Sequence, residues 1–111
     1  MAGTDDRSEK QKMLAGELYR GGGPELAADA LRADRLLRAY NATSLEDRDG
    51  RQAILRELCG TLGRGVQIRP PFHCDYGYNL RIGDRVFANF NCVFLDVARI
   101  DIGADCQIGP G

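Results

Sequence analysis

The chain has 111 residues, 43% of them hydrophobic and 28% charged, which suits one small globular unit. Its formal charge of −1, from 15 Lys+Arg against 16 Asp+Glu, excludes nucleic-acid binding through bulk positive charge, which needs a clustered basic field. No apolar run reaches the roughly 18 residues of a membrane span, and the polar first ten residues lack the apolar core of a secretory signal, so the expected location is cytoplasmic, with no membrane and no nucleic-acid partner.

Residues 1 to 65 carry 11 basic and 11 acidic side chains, whereas residues 66 to 111 carry 4 and 5. The density falls near Gly63-Arg64-Gly65, and a boundary is expected at residue 65. The first region reads as helices. Ser8 with Gln11 forms a capping-box pattern, and Met13, Leu14, Leu18 and Tyr19 give one apolar face. Gly21-Gly22-Gly23 is expected to end this helix, with Pro24 in the first turn of the next. Leu26, Ala30, Leu37 and Tyr40 trace a second helix that Asn41 closes. Ser44 with Asp47 marks a third start, followed by Ile54, Leu55, Leu58 and Leu62. Gly50 is expected to weaken the middle of that helix by about 1 kcal/mol relative to Ala. Stripes this narrow suit a helical cap packed on something else. Arg32, Arg35 and Arg38 read as a solvated face.

Beyond Pro70-Pro71, β-branched, aromatic and glycine residues dominate. Ile82, Ala88 and Phe94 stand six apart; after a two-residue slip, Ile102 and Ile108 resume the rhythm. Leu80-Arg81-Ile82-Gly83-Asp84 and Ile100-Asp101-Ile102-Gly103-Ala104 echo each other 20 residues apart. This is the pattern of a three-faced parallel β-helix, in which one apolar residue per hexad stacks on its counterpart in the next coil. About one and a half coils are legible, and such a short solenoid leaves backbone groups and an apolar cross-section to be covered. Asp84 and Asp105 read as turn formers. Cys59, Cys74, Cys92 and Cys106 contain no CxxC pair, and His73 is the single histidine, so no metal is expected and the thiols read as free core residues.

Met13-Leu14-Ala15-Gly16-Glu17-Leu18-Tyr19, with Leu36-Leu37-Arg38-Ala39-Tyr40-Asn41, resembles the N-terminal helical domain of the maltose and galactoside O-acetyltransferases. The segments from Pro70 to Asn79 and from Phe87 to Asp96 resemble the start of that family's β-helix. The resemblance implies an α+β fold: a helical domain over 1–65, then the first coils of a left-handed parallel β-helix over 66–111. It implies a homotrimer that moves acetyl from acetyl-CoA to a sugar hydroxyl, with active sites between neighbouring β-helices. The family's general base is a histidine in a Thr-x-x-His-Pro-type segment that falls beyond Gly111, so no catalytic residue is expected here and the chain alone is expected to be inactive. By motif matching, Asn89 corresponds to an acceptor-pocket residue, Asp75 to a polar position near the acceptor, and Asp96 to a position near the site. Val97 stands where the galactoside enzymes carry a second acid, which favours the maltose-type pattern. His73 does not match the catalytic histidine and is expected to be structural or pocket-lining. Tyr76 and Tyr78 could line the sugar site or stack within the solenoid. The alternative is a non-catalytic paralogue or an oligomerisation module.

Overall fold

The computed structural model describes residues 6–111. Three helices, α1 (Glu9–Leu14), α2 (Pro24–Asn41) and α3 (Arg48–Leu58), precede eight short strands. These are β1 (Thr61–Leu62), β2 (Gln67–Ile68), β3 (Phe72–Cys74), β4 (Leu80–Ile82), β5 (Phe87–Ala88), β6 (Cys92–Phe94), β7 (Ile100–Ile102) and β8 (Gln107–Ile108). The strands form three sheets, ordered β1-β4-β7, β2-β5-β8 and β3-β6, and every pairing is parallel. Thr61 pairs with Arg81, Gln67 with Phe87 and Phe72 with Cys92, so the repeat is 20 residues.

The chain therefore holds two complete coils and two faces of a third, more than the hexads from Ile82 onward suggested. The first coil was hidden because Leu62, Ile68 and Cys74 carry its rhythm, and a cysteine in an aliphatic slot masks the pattern. Its first strand begins at Thr61, immediately after α3 and ahead of the composition break near residue 65. The two-residue slip lies in the corners after β3 and β6. Within each face the first and third residues point inward: Leu80 and Ile82, Val86 and Ala88 are all buried. Cys59 and Cys92 are buried, Cys74 is half-buried and Cys106 exposed, all as free thiols. Burial pushes the Cys59 thiol up to about 12, with the Asp96 charge adding to the effect.

Glycine is required where coils approach closely. A Cβ on Gly63 would stand 2.5 Å from the Asp84 nitrogen, and one on Gly83 2.7 Å from that of Ala104. The turn between the first and second faces takes a positive φ in all three coils, at Gly65, Arg85 and Asp105. Asp105 also receives both Arg85 guanidinium contacts, at 2.7 and 3.0 Å. Asp84 Oδ1 accepts from the Arg64 amide at 2.9 Å, a bond between successive coils.

The helices close the first coil. Tyr40 packs edge-on against Phe72, with centroids 5.0 Å apart, and its hydroxyl donates to the Ile68 carbonyl. Asn41 accepts from Phe72 N at 3.0 Å and donates to Phe72 O at 2.9 Å. Gln52 donates to Val66 O at 2.6 Å. These side chains satisfy backbone groups that the edge of the first coil leaves without a strand neighbour.

Helix boundaries differ instructively from the apolar pattern. The Ser8–Gln11 capping box forms, but α1 stops at Leu14, because Gly16 takes a φ of 76°. Leu18 is consequently 98% exposed instead of lying on the helix face. Pro24 opens α2 as expected, although Ala33, not Ala30, lies in its buried stripe. Asp47 caps α3, accepting from Gly50 N at 3.0 Å. Gly50 therefore sits in the first turn, where a Cβ would come within 2.3 Å of the capping carboxylate. Arg32 is not simply solvated: it donates to the Glu57 carbonyl, and one of its nitrogens is buried without a partner.

Asn41→Ala removes both bonds to Phe72 and leaves a strand edge unsatisfied. It is expected to lower stability by about 1–3 kcal/mol, read as a reduced urea midpoint.

Candidate functional site

Corners and outward faces of the coils carry the chemistry, since every inward position is committed to the core. The third face, made by β3 and β6, points His73 and Val93 outward in register. Asp75 follows β3 at one corner, and Asn89 precedes β6 at the other. Phe90, Val93, Leu95 and Val97 leave apolar surface exposed around this face.

Asp96 is fully buried and is consumed by the neighbouring corner. Its Oδ1 accepts from the amides of Asp75 at 3.0 Å and Tyr76 at 2.9 Å, and its Oδ2 from that of Asn79 at 3.1 Å. The Asn79 side chain returns a bond to the Asp96 carbonyl at 2.8 Å. This carboxylate holds the two-residue insertion of the coil below, a geometry that makes Asp96 a positioning group with no atom facing solvent. No register or spacing rule reveals such a clamp.

Asp75 is half-buried, and its carboxylate makes no hydrogen bond or ion pair among the described residues. Burial, then the adjacent Asp96 charge, raises its pKa above the usual 3.8. Asn89 is half-buried; its side-chain oxygen accepts from Phe90 N at 2.8 Å, which leaves the amide NH₂ to donate. The structure thus brings Asp75 and Asp96 together and sets Asn89 at the far corner of the same face.

Tyr76 and Tyr78 stack in parallel, 5.4 Å between centroids, on the side that faces the helices. They pack with Met13, Tyr19 and Leu26. Tyr78 donates to Asp29 at 2.9 Å, and Lys10 lies 4.5 Å over its ring. Burial and this carboxylate push the Tyr78 hydroxyl strongly upward. His73 is exposed on β3. Among the described residues no group of three or more His, Cys, Asp or Glu could hold a metal ion, and no helix is long and apolar enough to cross a membrane. Sequence reasoning missed Tyr40, Asn41 and Gln52 as edge caps, and the arginines Arg48, Arg51 and Arg69 around a cleft beside α3.

Residues 12–63 match the maltose acetyltransferase hexapeptide capping motif. Nodulation protein L of Rhizobium meliloti (strain 1021) is 50% identical over 104 residues, covering 94% of this chain and 57% of that protein. A maltose O-acetyltransferase from Clostridium difficile 630 superposes with a TM-score of 0.94 at 36% identity, over 96% of this chain and 57% of the other. A hexapeptide-repeat-containing acetyltransferase of Vibrio cholerae O1 biovar eltor, complexed with acetyl coenzyme A, gives 0.84 at 44% identity, over 94% and 56%. The chain spans about half the length of the relatives it matches.

Asp96→Asn halves the accepting capacity of the clamp and removes its charge. Amide exchange at Asp75, Tyr76 and Asn79 is expected to quicken about 10–100-fold, with Gly63 and Gly83 unchanged. The same substitution is expected to bring the Asp75 titration back toward 3.8. A raised folded-state pKa gives stability that is present below 3.8 and lost as pH rises through the folded value, and this contribution shrinks in the variant.

Proposed function

We propose that this chain belongs to the hexapeptide-repeat acetyltransferases of the maltose/galactoside type and forms the helical cap and acceptor side of an enzyme moving acetyl from acetyl-CoA to a sugar hydroxyl. The observation that carries this reading is a 20-residue parallel β-helix closed by a helical cap, in an arrangement that superposes on a maltose O-acetyltransferase. A bound acetyl coenzyme A in a second similar structure supports the donor.

The reaction needs three things. A base takes the hydroxyl proton as the sugar oxygen attacks the thioester carbonyl. Donors stabilise the tetrahedral oxyanion. The intermediate then collapses to the acetyl ester, and the coenzyme leaves as a thiolate that takes up the proton. We assign the base to a histidine of a further coil, in keeping with the resemblance, because His73 belongs to the Pro-Phe-His-Cys-Asp-Tyr segment and not to that motif. The residues here bind and orient. The Asp75 carboxylate accepts from a sugar hydroxyl, the Asn89 amide donates to one, and Asp96 acts through Asp75 by fixing its backbone. Orientation of this kind converts binding energy into rate. The exposed apolar residues Phe90, Val93, Leu95 and Val97 support a homotrimer in which this face meets a neighbouring copy.

Thiol release from acetyl-CoA with maltose, glucose and galactosides, using the complete protein, tests the reading. Asn89→Ala and Asp75→Ala are expected to lower kcat/KM for the acceptor about 10–100-fold while leaving KM for acetyl-CoA unchanged. Acceptor binding is expected to weaken as pH falls through the raised Asp75 value, because the ionised carboxylate accepts a charge-assisted and therefore stronger bond from the sugar hydroxyl. Absence of turnover with every sugar would leave a non-catalytic module. Val93→Asp is expected to dissociate the trimer, read by light scattering.

A further inference from the structure

The cleft between α3 and the corner joining β2 to β3 is lined by none of Asp75, Asn89 and Asp96. It has a volume of about 300 Å³ and is lined by Arg48, Arg51 and Arg69, by the amides Gln52 and Gln67, and by an apolar wall that includes Leu45, Ile68 and Pro70. No acid lines it. We propose that it binds a small phosphate-class dianion, specifically a phosphate monoester whose carbon portion rests on the apolar wall.

The charge arrangement carries this inference. Arg48, Arg51 and Arg69 have no carboxylate within ion-pair distance among the described residues; Arg20, Arg32, Arg35, Arg56, Arg64 and Arg81 share that condition, but none of them lines this cleft. Three uncompensated guanidinium groups around one concavity repel one another unless an anion joins them. Two of the three are pre-positioned. Arg51 donates to the carbonyls of Ser44 and Leu45, the latter at 3.2 Å, contacts that hold the group without neutralising it. Arg69 lies 4.7 Å over the Phe90 ring and 5.9 Å over that of Phe87. Arg48 and Arg51, three apart on α3, share one helix face. The nearby acid Asp47 is occupied in capping Gly50 N.

Guanidinium forks match the geometry of phosphate oxygens and strengthen with charge. The volume lies at the lower end of small-molecule pockets, more than a bare phosphate needs. Leu45, which is 79% exposed, and half-buried Pro70 present apolar surface that a free ion would leave uncovered, which is why an ester is the favoured occupant.

Glycerol phosphate and inorganic phosphate, with sodium chloride at matched ionic strength, are titrated into the purified protein by calorimetry and thermal unfolding. Saturable binding of either phosphate compound, with a rise in Tm that chloride does not reproduce, is the expected result. Tighter binding of the ester assigns its carbon portion to the apolar wall; equal affinity makes free phosphate the source. The exposed pair Arg48→Gln/Arg69→Gln is expected to weaken binding at least about tenfold without lowering Tm in the absence of ligand. Arg51→Lys, which retains charge but loses the planar fork, is expected to weaken it less. An identical Tm response to chloride, unchanged affinity in the double variant, or no saturable binding overturns the proposal. None of these readouts depends on acetyl transfer, so this site and the transferase reading fail independently.

Discussion

A parallel coil has no intrinsic end. Its short strands find hydrogen-bond partners only in the coils before and after, and the first coil has no predecessor. Tyr40, Asn41 and Gln52 supply what that edge lacks by bonding Ile68, Phe72 and Val66. Two of these residues lie in the last turn of α2 and one in α3, so both helices must sit over the coil for the edge to be satisfied. The apolar contact accompanies the polar one: the Tyr40 ring meets Phe72 as its hydroxyl reaches the strand. Burial raises that hydroxyl to about 12, which keeps it a neutral donor.

With the first coil held, the later ones follow by register. Each face contributes only two or three residues of strand, too few to stand alone, and stability comes from stacking at 20-residue intervals. Close approach at the corners excludes side chains at Gly63 and Gly83 and requires a positive φ at Gly65, Arg85 and Asp105. The corner after β3 holds two further residues. Extra chain of this kind exposes backbone donors, and Asp96 answers three of them from the coil above. A buried carboxylate is tolerable because its oxygens are matched by backbone N–H groups.

That clamp ties the fold to the acceptor-binding role proposed for Asp75. Asp75 leaves the backbone at the point where Asp96 holds it, and its own carboxylate stays unpaired at the rim of the third face. A fixed backbone with an unsatisfied polar tip is what orientation of a hydroxyl acceptor requires. The arginine cleft beside α3 follows a different logic, with backbone carbonyls and an aromatic ring holding cations that no acid neutralises. The cleft shares no residue with the Asp75–Asp96 clamp, whereas Tyr40 and Gln52 both cap the coil edge and line the cleft.

Much of the architecture was legible because it rests on periodicity. Hexads from Ile82 to Ile108 imposed inward stacking, Pro24 and the Ser8–Gln11 pair opened helices, and the ordered motifs from Met13 to Asp96 carried the family. Gly16 was passed over because an apolar pattern continued beyond it, although a left-handed residue ends a helix whatever follows. Cys74 hid the first coil for the opposite reason, being read as a free core thiol and not as a member of the hexad series that Phe94 continues one coil later. Candidate site residues divided along a similar line. Motif matching placed Asp75, Asn89 and Asp96 alike near an acceptor, and a motif could not separate an open carboxylate from a buried one. The sequence by itself determined the repeat and the helical cap, since these depend on local conformation and spacing. Only the tertiary structure decided that Asp96 is spent on backbone amides, that Tyr78 faces Asp29, and that Arg48, Arg51 and Arg69 converge, because hydrogen bonds and charges act through space between coils and helices far apart in the chain.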